Sequence, residues 1–167
     1  GTEAEVAAPQ PRLHGGMAAM QQSFGFYDIF LIEPEGRVVY SVFKELDFAT
    51  SLQNGPWADS GLGQLYRQMQ RSADDQVAFA DFALYTPSYD APAAFLGMPV
   101  VKDGKRVGYA AIQVPLDRIN AVATARDGLG ETGEVLLVGP DHLMRSDSRH
   151  QPETHTVVAS HRNPKQG

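Results

Sequence analysis

Four histidines, His142, His150, His155 and His161, fall within 20 residues near the end of this 167-residue chain. Imidazole is a common zinc ligand, so the cluster raises the question of a metal site. The spacings of 8, 5 and 6 residues are not the i, i+4 interval that places two imidazoles on one helix face. The chain has no cysteine to supply a thiolate. The four read as solvated loop side chains, and no metal or other cofactor is expected. Ser146-Asp147-Ser148-Arg149 brings hydroxyl and carboxylate close to histidine in sequence. No G-x-S-x-G elbow accompanies them, and adjacency along the chain does not make a triad. Gly61-Leu62-Gly63 and the GLGETG segment at 128–133 lack the buried strand that feeds a dinucleotide-binding turn. No catalytic residue is expected, and an enzyme is not the expected reading.

Binding chemistry is better represented. Trp57, the only tryptophan, follows Gly55-Pro56, and Tyr85 and Tyr89 bracket Thr86-Pro87-Ser88, with Asp90 next. Rigid aromatics in loops suit the wall of a small-molecule pocket, and Asp90 suits an ammonium or hydroxyl. The alternative is that Trp57 and Tyr85 seal the core where loops cross a sheet. Arg67 lies one position past an apolar helical stripe, where it could reach a carboxylate or simply point into solvent. Alternation along two strands sets Phe95 and Gly97 opposite Ala94, Leu96 and Met98, and Tyr109, Ala111 and Gln113 opposite Ala110, Ile112 and Val114. The face with Tyr109 and Gln113 suits a cavity lining; the aliphatic face suits a covering helix. Tyr40 and Phe43 are further candidates for the cavity wall.

The elements that would position these groups follow from periodicity. Residues 1–16 have two prolines, a leading glycine and no period, so they read as a tail or tag remnant. Met17, Met20 and Phe24 mark the end of a helix. Strands are expected at about 27–33 and 37–43, joined at Glu35-Gly36. A long excursion through Asn54-Gly55-Pro56 precedes a helix capped by Asp59 or Ser60, with Leu62, Leu65, Tyr66 and Met69 as its stripe. A strand over 76–85, a loop, and a hairpin turning at Asp103-Gly104 follow, then a short helix with Asp117 as its cap. The order gives an α+β fold, a mostly antiparallel sheet of about five strands with flanking helices, like a PAS module.

The opening unit is written twice. Ile29-Phe30-Leu31-Ile32 aligns with Val135-Leu136-Leu137-Val138 at an offset of 106 residues, and Pro34-Glu35 falls on Pro140-Asp141. Three blocks, Gly25–Leu52, Tyr85–Val122 and Gly128–Arg149, resemble the Cache family of extracytoplasmic sensor modules. Such modules occur in bacterial methyl-accepting chemotaxis receptors, histidine kinases and nucleotide cyclases. The resemblance covers about Phe24 to Arg149 and implies a double arrangement of two PAS-like modules. Residues 17–125 would be the membrane-distal module and 126–167 the joint and incomplete opening of a second. It also implies that the chain is a piece of a longer, membrane-anchored receptor, periplasmic in location, which pairs as a homodimer through its first helix. A helix arginine near the pocket of amino-acid-binding members is matched loosely by Arg67.

The expected function is therefore sensing of a small polar ligand (an amino acid, amine or short carboxylate). Trp57, Arg67, Tyr85, Tyr89, Asp90, Phe95, Tyr109 and Gln113 are the candidate contacts. The alternative is a ligand-free structural or dimerisation module of the same receptor. A net charge of −6 with no basic run argues against nucleic acid. No run of 18 apolar residues is present to span a membrane.

Overall fold

A computed structural model of the chain describes residues 11–125 and 127–164. The first ten residues of the expected tail lie outside that range, and from Pro11 the chain is already helical. The elements are α1 (Pro11–Phe24), β1 (Asp28–Ile32), β2 (Val38–Ser41), α2 (Gly61–Arg71), β3 (Ala78–Tyr85), β4 (Ala91–Lys102), β5 (Lys105–Gln113), α3 (Leu116–Ala123) and α4 (Val157–Arg162), with a 3-10 turn at Thr86–Ser88. The strands form one sheet in the order β2-β1-β5-β4-β3. This is the α+β, PAS-like sheet with flanking helices that the sequence pattern predicts.

β1 runs antiparallel to both neighbours, with Leu31 opposite Tyr40 on β2 and opposite Ala110 on β5. The β1–β2 connection needs its glycine for two reasons. Gly36 has φ +91°, and a Cβ there would sit 2.9 Å from the Tyr66 ring. β4 turns into β5 at Asp103 and Gly104, both with positive φ, as a two-residue hairpin requires.

α2 begins where Ser60 accepts a hydrogen bond from Gly63 N–H. Its stripe of Leu62, Leu65, Tyr66 and Met69 is fully buried. The helix lies close on the sheet: a Cβ at Gly97 would stand 2.7 Å from Met69 Sδ and 3.0 Å from Leu65. α3 departs from expectation. Its cap is Pro115, and Asp117 stands inside the first turn, where it faces the positive end of the helix without accepting a capping bond.

The chain divides into two compact units, one of residues Gly1–Asp81 with Ala94–Val114, the other of Phe82–Ala93 with Pro115–Gly167. In the second unit the repeated opening does not become a pair of regular strands. A single bridge joins Val138 to Met144, closed by Gly139 N–H to Leu143 O (2.9 Å) and Arg145 N–H to Leu137 O (2.7 Å). Val135–Val138 remain 42–55% exposed. β1 has a strand on each side, whereas a lone two-stranded ribbon is marginal. Polar pairs hold this unit instead. Asn120 and Asp147 bond reciprocally (2.7 and 2.8 Å), and Asp147 also accepts from Val157 N–H at the start of α4 (2.7 Å). One histidine corrects the solvated reading. His161 is buried on α4, its ring nitrogens 2.9 Å from Val157 O and 3.3 Å from Phe82 O.

Candidate ligand-binding face

The register sets Phe95 opposite Gln113 and Pro99 opposite Tyr109. Phe95 therefore joins Tyr109 and Gln113, which alternation already sets on one face, and all three are buried. α2 lies on that face, against the expectation that the helix covers the aliphatic one. Tyr109 meets Tyr66 of the helix edge to face (5.4 Å, 89°), and a Cβ on Gly61 would stand 3.2 Å from the Phe95 ring. Phe95 packs in turn on Phe30 at 6.1 Å.

Arg67 is half-buried rather than solvated. Its Nη1 donates to Ala58 O in the excursion leading into α2. That leaves further guanidinium donors without a partner among the described residues, a geometry suited to a carboxylate. Trp57, also half-buried, donates from Nε1 to Leu46 O at 3.0 Å, tying together the two ends of the excursion. Trp57 and Arg67 thus belong to one fastened segment at the entry of α2.

The second loop is part of the second unit. Tyr85 is buried, whereas Tyr89 is 85% exposed and stands in solvent. Asp90 accepts from Thr86 Oγ1 at 2.8 Å, and both Tyr89 and Asp90 have positive φ.

Two wall candidates are corrected. Tyr40 lies on the other, aliphatic face, opposite Leu31, and its hydroxyl meets His14 Nδ1 of α1 at 3.0 Å. Phe43 is exposed and rests against Tyr27 at 5.8 Å.

Several polar groups were not anticipated. Asp28 is fully buried and accepts from Ile29 N–H (2.6 Å), Val42 N–H (2.8 Å) and Ser41 Oγ (2.8 Å). Burial pushes its carboxyl above the ordinary 3.8, outweighing the opposing pull of those hydrogen bonds. Arg106 donates to Met69 O (3.0 Å) and Ser72 O (2.9 Å) at the end of α2, pairs with Asp74 (2.6 Å) and lies over the Tyr109 ring at 5.7 Å. Tyr66 Oη donates to Pro34 O at 2.8 Å, and burial raises the hydroxyl's pKa. A polar residue opening the apolar run of β1 was the available signal for Asp28. Arg106 gave none, because the register slips between Val100 and Val101 and breaks the alternation.

No family model matches the chain, and no curated protein matches it. Solved structures do. The chain is similar to the ligand-binding domain of the Pseudomonas fluorescens chemoreceptor CtaA, solved with L-serine: TM-score 0.58 and 15% identity, over 96% of this chain and 64% of that one. The ligand-binding domain of the Campylobacter jejuni chemoreceptor Tlp3, solved with 4-methylisoleucine, gives 0.59 at 11% identity over 84% and 52%. The extracellular domain of vpHK1S-Z8, assigned as a histidine kinase, gives 0.57 at 11% identity over 96% and 63%. The chain spans 52–64% of the length of these structures. Its fold is that of these chemoreceptor ligand-binding domains and of this histidine kinase extracellular domain, as the resemblance implied. No helix among the described residues is long and apolar enough to cross a membrane.

Proposed function

We propose that this module is the extracytoplasmic part of a membrane receptor, that it binds a small polar molecule, and that it performs no reaction on it. The observation that carries the reading is the fold shared with the CtaA and Tlp3 ligand-binding domains, both solved with amino-acid ligands. The chain's own residues agree in chemistry. Arg67 has donors to spare for a carboxylate, and Trp57, Phe95, Tyr109 and Gln113 supply apolar walls and an amide. Ligand would act by population shift, through its difference in affinity for two arrangements of the Leu46–Asp59 excursion. A thermal-shift screen against amino acids, amines and short carboxylates tests this. Ligand at about 100 times its Kd stabilises by about 2.7 kcal/mol, a rise of roughly 5–11 °C for a domain of this size. Arg67→Gln should abolish the response to carboxylates and spare the fold. A flat response across the panel would sink the sensor reading.

A second reading, a pairing module, has its own observation. Leu13, Met17, Met20 and Phe24 of α1 recur at intervals of 4, 3 and 4 residues, a coiled-coil seam, and Phe24 is 63% exposed. A second copy packed along α1 would bury it. Light scattering of the protein and of Met20→Lys reads this directly: a dimer that the substitution dissociates supports the seam.

A further inference from the structure

We propose that the outer edge of β3, beside the last turn of α2, docks an extended peptide segment bearing a carboxylate. This surface is separate from the proposed ligand-binding face and does not depend on it. Edge strands present unpaired backbone groups, which proteins normally cover. The opposite edge of the sheet is covered: Val38 N–H donates to Thr50 O (3.0 Å) and Ala49 N–H to Val38 O (2.9 Å). Farther along β3, Phe82 O meets His161 of α4 at 3.3 Å. The first half of β3 is different. Val77, just before the strand, and Phe79 within it are 58% and 50% exposed.

A trough of about 380 Å³ runs here, lined by Gln68 and Arg71 of α2, Ser72, Gln76, Val77, Ala78 and Phe79. No carboxylate lines it, although the chain as a whole carries a net charge of −6. Arg71 forms no hydrogen bond or ion pair among the described residues, in contrast to the saturated Arg106 nearby. An unengaged guanidinium, two carboxamides, an apolar wall and a strand edge together fit a chain that adds to the sheet. Its backbone would pair with β3, an apolar side chain would cover Phe79, and its carboxylate would reach Arg71.

The test uses the isotope-labelled full chain and the probe acetyl-Val-Thr-Val-Glu-amide. The probe should shift the amide resonances of residues 76–81, and Arg71→Gln should weaken it by at least about threefold. Replacing the probe's Glu by Gln should lose the same factor against the native chain and nothing further against Arg71→Gln. Phe79→Lys, which adds a charge to an exposed position, should abolish binding while the unfolding midpoint holds. Absence of shifts at about 1 mM probe, or equal binding of both probes, overturns the proposal. Concentration-dependent broadening of those amides without any probe would assign the edge to a second copy of the chain, and so would also overturn it.

Discussion

Asp28 is the residue where burial and hydrogen bonding oppose each other most directly. Its carboxylate receives three donors, yet loss of water raises its pKa above 3.8. The linkage follows in sign. A folded value above the unfolded one means that the stabilising contribution is complete below about 3.8 and is lost as pH rises through the folded value. Asn can keep the geometry, with its oxygen accepting from Ile29 and Val42 and its NH2 donating to Ser41 Oγ. Urea unfolding should therefore show Asp28→Asn at least as stable as the native chain near pH 7, with the native chain gaining on it as pH falls. Asp28→Ala should cost about 1–3 kcal/mol throughout, because the buried Ile29 N–H and the half-buried Val42 N–H lose their acceptor. A native chain that loses ground to Asp28→Asn on acidification would contradict this account.

At the scale of elements, α2 is held at both ends. Ser60 and Arg67 fasten its start, and Arg106 collects the carbonyls of its last turn. Arg106→Ala should speed amide exchange in residues 68–72 and leave the first turn near Gly63 unchanged. Arg106→Lys should restore only part of the protection, since one ammonium cannot fork to several carbonyls and Asp74. What was legible in the sequence was local. The stripe of α2 and the Asp103-Gly104 turn depend on neighbours a few residues away, and both stand where periodicity and turn chemistry put them. The repeated unit at 133–148 has the composition of β1 and β2 but not their flanking strand, so only one bridge forms. Asp117 looked like a cap, yet Pro115, whose φ is already fixed, takes that position. That Tyr109 and Gln113 share a face could be read from alternation, whereas Phe95 joins them only through the β4–β5 register. The reach of Arg106 to α2 could not, because a bulge intervenes and its partners lie more than 30 residues away.

For the whole molecule, the two units can be followed separately. Trp57, the only tryptophan, lies in the first unit, so its fluorescence reports on that unit, while circular dichroism reports on all helices and strands. Asp147→Ala removes the acceptor of Asn120 and Val157 and should destabilise the second unit by about 1–3 kcal/mol. The expected result is a circular dichroism transition that begins before the tryptophan transition; coincident curves would show one cooperative block instead. The assignment of Phe82–Ala93 to the same unit as Pro115–Gly167 bears on synthesis as well. Phe82 meets His161 across 79 residues of chain. A nascent chain that has emerged only as far as Val114 holds Phe82–Ala93 without the rest of their unit. At about 5–20 residues per second, the remaining stretch takes several seconds to arrive. Through that interval Phe82 lacks the His161 ring that meets its carbonyl in the finished protein.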